Sequence, residues 1–171
     1  MQRIEIIQGD ITQLPVDAIV NAANTRLSGG GGVDGAIHRA AGPALLEDCK
    51  TLGGCPTGSA KVTKGYQLPA SFVIHAVGPV WQGGQRNEAE LLASCYTTSL
   101  ELAVAIKAKT VAFPAISCGI YRYPLEQAVE IALGAIDDFL LTDKTLEKIY
   151  LVCFDEEVYT AYREAMSEFT R

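Results

Sequence analysis

Polar and apolar positions along the chain follow two alternating rhythms. Short apolar runs with strand character recur at "RIEIIQ", "DAIVNAAN", "AKVT", "SFVIHAV", "TVAFPA" and "KIYLVCF". The first alternates in the manner of an edge strand, and "DAIVNAAN" reads as a buried strand that runs out into a loop. Between these runs the apolar residues recur every three to four positions. This predicts helices over Gly35 to Ala41, Pro43 to Lys50, Glu88 to Lys107, Pro124 to Leu141 and Glu156 to Phe169. Pro43 and Pro124 suit first helical positions, where a missing amide removes no hydrogen bond.

Strands that alternate with helices in this way imply an α/β fold, a sheet covered by helices on both faces. In such sheets ligands gather at the carboxyl ends of the strands, which directs attention to the loops after Asn21 and after Pro114. The chain has 171 residues and is 49% hydrophobic, enough for a substantial core and too short for two ordinary domains. The whole span, 1–171, is therefore expected to be one domain, without repeats, low-complexity tracts or a linker.

Charge narrows the ligand. With a formal net charge of -6 and a pI near 4.9, the chain lacks the basic footprint by which proteins grip DNA or RNA. An anionic ligand would have to be held by local backbone dipoles. Five cysteines, Cys49, Cys55, Cys95, Cys118 and Cys153, form no CxxC pair and predict reduced thiols, with neither a disulfide framework nor a metal cluster. No apolar run has the form of a signal peptide or reaches the roughly 18 residues of a membrane span, so a cytoplasmic protein is expected.

The stretch "LSGGGGVDGAIH" can supply such dipoles. Consecutive glycines allow close backbone approach and positive φ, and a helix starting near Gly35 would add its positive end. Gly30, Gly32 and Gly35 also satisfy GxGxxG, but "NTRLS" separates them from the preceding strand and no acidic residue follows about 20 positions later, as a dinucleotide fold requires. A Walker A loop fails because no glycine precedes Lys and then Ser or Thr in frame. Asn21 and Asn24 lie upstream and Asp34 downstream; Asp34 by itself would serve equally well as a helix cap. A second loop of small residues, Ser117, Cys118 and Gly119 in "FPAISCGIYRYP", can present amides to another side of the same anion. Two such cradles on neighbouring strand ends suggest a diphosphate.

Together "GDIT", "IVNAAN", "GGGGVDGAIHRAAG", "HAVGPVW" and "FPAISCGIY" resemble the macrodomain signature, most closely the bacterial branch of MacroD-type hydrolases. The resemblance extends over nearly the whole chain. It implies a three-layer α/β/α sandwich around a mixed, mostly parallel six-stranded sheet, with a cleft for ADP-ribose. It further implies that Asp10 accepts from the adenine amino group beside Ile11, and that Phe154 lies over the adenine. Gly30, Gly31, Gly32 and Val33, with Ser117, Cys118, Gly119, Ile120 and Tyr121, would wrap the diphosphate.

By the same resemblance Asn24 contacts the distal ribose and Asp34 directs water. The predicted function is hydrolysis of an ester on that ribose, in O-acetyl-ADP-ribose or in mono-ADP-ribose attached to Asp or Glu of a protein, with no cofactor or metal. The competing reading is a reader module that binds ADP-ribose without turnover. A phosphatase acting on ADP-ribose 1''-phosphate would use the same cleft.

Three residues are read structurally. Asn21 is expected to hold the turn between strand and loop, and His38 and His75 lack the partners of a nucleophilic or metal site. Cys118 is read as a small space-filling residue. Arg122 stands where the family commonly has glycine, in a loop whose backbone arginine should resist.

Overall fold

A computed structural model describes residues 2–169. Six strands form one sheet: β1 (Ile4–Gln8), β2 (Ala18–Ala22), β3 (Ala60–Lys64), β4 (Phe72–Ala76), β5 (Thr110–Phe113) and β6 (Lys148–Cys153). Their spatial order is β1-β6-β5-β2-β4-β3. All neighbours are parallel except β3, which pairs antiparallel with β4 at one edge. β1 occupies the other edge, as its alternating sequence predicts.

Five helices cover the two faces: α1 (Gly32–Ala41), α2 (Pro43–Lys50), α3 (Glu88–Ala105), α4 (Leu125–Thr142) and α5 (Glu156–Phe169). Strand periodicity divides the core between them. Ala18 and Val20 of β2, with Ile74 of β4 and Phe113 of β5, face the layer made by α3, α4 and α5. Ile19, Val73 and Ala112 face the opposite layer, with Ile37 and Leu45 of α1 and α2. The α/β/α layering inferred from the sequence is thus the observed one. Fully buried side chains such as Ile19, Phe113 and Leu133 each contribute roughly 1.5–3 kcal/mol relative to exposure.

Three local expectations are corrected. α1 begins at Gly32, three residues before the predicted start, because Gly31 is extended and Gly32 takes a left-handed φ of +59° that turns the chain into the helix. Pro124 is the N-cap of α4, at φ -56° and ψ +123°, and precedes its first helical residue, whereas Pro43 does occupy the first position of α2. Asn21 belongs to β2 and not to a turn. Since β2 alternates, Asn21 shares the face of Ile19 and points toward α1 and α2. No helix among the described residues is long and apolar enough to cross a membrane.

Candidate functional site

The carboxyl ends of β1, β6, β5 and β2 open into one cleft of about 490 Å³. Every site residue expected from the sequence lines it: Asp10, Ile11, Asn24, Gly30, Gly31, Gly32, Val33, Asp34, Ser117, Cys118, Gly119, Ile120, Tyr121 and Phe154. Gly78, Ala22, Pro114, Asp155 and Val158 also contribute and were not foreseen.

At one end, Asp10 follows β1 and caps the short 3-10 turn Ile11–Gln13. Its Oδ1 accepts from the Thr12 amide at 2.9 Å and the Thr12 hydroxyl at 2.7 Å, while Oδ2 has no hydrogen-bond partner among the described residues. Phe154 follows β6, the strand paired with β1, and is 90% exposed. A phenyl ring so exposed beside a cleft is poor core material and a ready surface for a flat ligand. Asp155 then caps α5, accepting from the Val158 amide at 3.0 Å.

The middle of the cleft is backbone. In the loop after β5, the Tyr123 amide returns to Ser117 O at 2.9 Å and the Arg122 amide to Gly119 O at 3.0 Å. The amides of Ser117, Gly119, Ile120 and Tyr121 donate to no acceptor among the described residues. The loop is held from outside by the Trp81 amide, which donates to Tyr121 O at 2.8 Å, and from beneath by the Tyr96 hydroxyl, 3.3 Å from the Ile116 amide. Ser117 is left-handed at φ +67°, and its buried hydroxyl has no partner among the described residues. Arg122 is left-handed too, at φ +60°. The arginine therefore adopts the backbone that glycine would take and carries the strain. Across the cleft, a side chain begun at Gly31 would touch Ile120 Cδ1 at 3.7 Å, so the two loops approach each other closely.

At the far end stands Asp34, in the first turn of α1 and only 5% exposed. It does not cap the helix. Its Oδ1 accepts from Asn21 Nδ2 at 2.9 Å and lies 3.3 Å from His38 Nε2. Burial pushes its pKa above the ordinary carboxylate value, and Asn21 and His38 oppose that rise. Beside it, Asn24 Nδ2 donates to Gly29 O at 2.9 Å and Asn24 Oδ1 accepts from the Ser28 amide at 3.2 Å, which pins the start of the glycine run. The point where a Gly30 side chain would begin lies 3.4 Å from Asp34 Oδ2 and 3.9 Å from Asn24 Nδ2. A small polar group could meet both there.

The structural reading of Asn21 needs amendment. Asn21 holds Asp34 and not a turn, and His38 stands beside the same carboxylate. His38 follows Asp34 by four positions on one helix, a spacing that places the two side chains together and was available in the sequence. His75, buried behind them, is held neutral, with its pKa lowered to about 4 by desolvation. Cys118 fits the space-filling reading, because burial drives its thiol up to about 12 and leaves no thiolate to attack a substrate.

Residues 20–132 match the Macro domain model, more than half of the chain. The chain belongs to the macrodomain family. A macrodomain-containing protein of Methanosarcina mazei is 60% identical over 168 residues, covering 98% of this chain and 90% of its own. An O-acetyl-ADP-ribose deacetylase of Klebsiella pneumoniae is 56% identical over 169 residues, covering 96% and 97%. Among solved structures, a mutant Oceanobacillus iheyensis macrodomain with ADPR superposes with a TM-score of 0.94 at 43% identity, covering 98% of this macrodomain and 93% of its own chain. A Trypanosoma brucei macrodomain in complex with ADP-ribose gives a TM-score of 0.91 at 46% identity, covering 96% and 69%.

Proposed function

We propose that this macrodomain binds ADP-ribose and hydrolyses esters on its distal ribose, both in O-acetyl-ADP-ribose and in mono-ADP-ribose carried on Asp or Glu of proteins. The observation that carries the reading is the placement of Asp34. Its Oδ1 is anchored, while Oδ2 faces the space between Gly30 and Asn24. A cleft built only for binding has no need of a buried, desolvated carboxylate at the end where the ester would lie.

In this reading adenine lies between Asp10 and Phe154. Asp10 Oδ2 accepts from the amino group, since an ionised carboxylate can only accept, and the Ile11 backbone adds a contact. The diphosphate lies against Gly30 to Val33 and Ser117 to Tyr121, where unpaired amides and the start of α1 offset its charge in a protein of net charge -6. Asn24 uses its remaining amide hydrogen to orient the distal ribose. Asp34 positions a water molecule and accepts its proton as the oxygen adds to the ester carbonyl. The ribose oxygen then leaves with a proton, giving ADP-ribose and the free carboxylic acid. The names of relatives such as the Klebsiella pneumoniae deacetylase support this chemistry.

The test is direct. The purified protein is incubated with O-acetyl-ADP-ribose and with a glutamate-linked ADP-ribosylated protein, and release of ADP-ribose is followed over time. Release from both is expected. Binding of ADP-ribose by calorimetry without release from either would leave a reader module.

A further inference from the structure

β2, β4 and β3 set Asn21, His75 and Thr63 in one row on the sheet face beneath α1 and α2. Asn21 and His75 are register partners, and Thr63 pairs with Val73, two residues along β4 from His75. All three are buried. The direction of each hydrogen bond along the row follows from its ends. The Thr63 hydroxyl donates to Lys64 O at 3.1 Å, a carbonyl that can only accept. Thr63 Oγ1 then accepts from His75 Nε2 at 2.9 Å. A neutral imidazole has one hydrogen, so His75 Nδ1 becomes an acceptor for Asn21 Nδ2 at 3.2 Å. The second Nδ2 hydrogen reaches Asp34 Oδ1. An amide turned over would set its oxygen against the carboxylate.

We propose that Thr63 and His75 are positioning residues for Asp34: the Thr63 hydroxyl holds His75 as its Nε2–H tautomer, and that tautomer fixes the Asn21 amide so that it donates to the Asp34 carboxylate. The row is a structural relation in its own right, and its catalytic consequence rests on the ester-hydrolase reading.

The surroundings of His75 keep the relay in one state. From α2, Cys49 Sγ lies 3.7 Å from Nε2 and Asp48 adds a negative charge. From α1, the His38 ring stands 6.4 Å away centre to centre. Burial raises the Cys49 thiol to about 11, so it is no anionic competitor for the Nε2 hydrogen. Desolvation and His38 outweigh Asp48, and the ring stays neutral. The Asn21 oxygen has no partner among the described residues, and the amide is oriented by its two donor contacts.

The wild-type protein gives the first readout. Long-range proton–nitrogen NMR at neutral pH is expected to show His75 protonated on Nε2 and bare on Nδ1, and protonation on Nδ1 would overturn the proposal. Carboxyl-carbon titration of Asp34 gives the second. Asn21→Leu, which removes the donor, and Thr63→Val, which releases the tautomer, should both raise the Asp34 midpoint, by about one pH unit for loss of a charge-assisted bond. Thr63→Ser should restore the wild-type midpoint, and the acid limb of kcat/KM should move with it. An Asp34 midpoint unchanged in folded Thr63→Val would also overturn the proposal, and if that variant does not fold the tautomer readout decides. Should the protein hydrolyse no ADP-ribosyl ester, the functional reading falls while both NMR readouts still judge the relay.

Discussion

Asn21 Nδ2 donates to Asp34 Oδ1 at 2.9 Å, joining the middle strand of the sheet to the first turn of the helix behind the glycine run. The bond aims one carboxylate oxygen away from the cleft and leaves the other facing it. Replacing Asn21 with Ala would strip a donor from a buried charge and orphan His75 Nδ1. A loss of about 1–3 kcal/mol is expected, read from urea unfolding at neutral pH. A change below about 0.5 kcal/mol, the range of ordinary surface substitutions, would mean that the pair does not anchor Asp34.

Arg122 supplies an unusually clean test of backbone strain. It is exposed, its φ is +60°, and its amide closes a turn onto Gly119 O. Left-handed backbone costs an L-residue about 1–2 kcal/mol, part of which glycine returns through its greater freedom when unfolded. Arg122→Gly should therefore stabilise the protein by up to about 1 kcal/mol, visible as a raised Tm. A lowered Tm would show that the guanidinium makes a compensating interaction.

Gly35 lies in the first turn of α1, where alanine would ordinarily favour the helix. Here a Cβ would stand 2.5 Å from Gly30 O, a backbone atom of the glycine run. Gly35→Ala should therefore destabilise the fold and, by displacing Gly30, weaken ADP-ribose binding by calorimetry. A more stable variant with unchanged affinity would show that the loop gives way freely.

Stability should also respond to pH through His75 and Asp34, with opposite signs. His75 is neutral when folded, its pKa near 4 against 6.5 when unfolded, so its contribution is complete above pH 6.5 and lost as pH falls toward 4. That loss amounts to about 3 kcal/mol across the window. Asp34 has a raised folded pKa, so its charged form costs stability, and that cost appears as pH rises through and above the unfolded value of 3.8. Unfolding free energy followed from pH 7 to 4.5 should fall more steeply in the native protein than in His75→Asn. Parallel curves would contradict a buried neutral histidine.

Much of this architecture is legible in the sequence, because the continuous apolar run in "DAIVNAAN" and the three-to-four-residue period in the helices report burial directly. The glycine run and the small-residue loop announced backbone cradles because small side chains leave little else to present. What stayed hidden is what the sheet brings together. Asn21, His75 and Asp34 lie on three elements: strand register makes the first two neighbours, and the packing of α1 on the sheet brings the third to them. The partnership of Asp34 with His38 was an exception, encoded in a four-residue helical spacing. The exposure of Phe154 was also hidden, since a strand-terminal aromatic reads equally well as the last core residue. Arg122 takes a left-handed backbone that its side chain disfavours. The preference against left-handed arginine is real, but two loop hydrogen bonds around it prevail.

The central claim is that Asp34 takes part in breaking an ester. Turnover of O-acetyl-ADP-ribose by the native protein and by Asp34→Asn, with the ADP-ribose Kd of each measured in parallel, tests it most directly. Loss of a positioned proton acceptor should lower kcat by about 10²–10⁴ while Kd stays within a few-fold. Equal turnover by the two proteins would contradict the account.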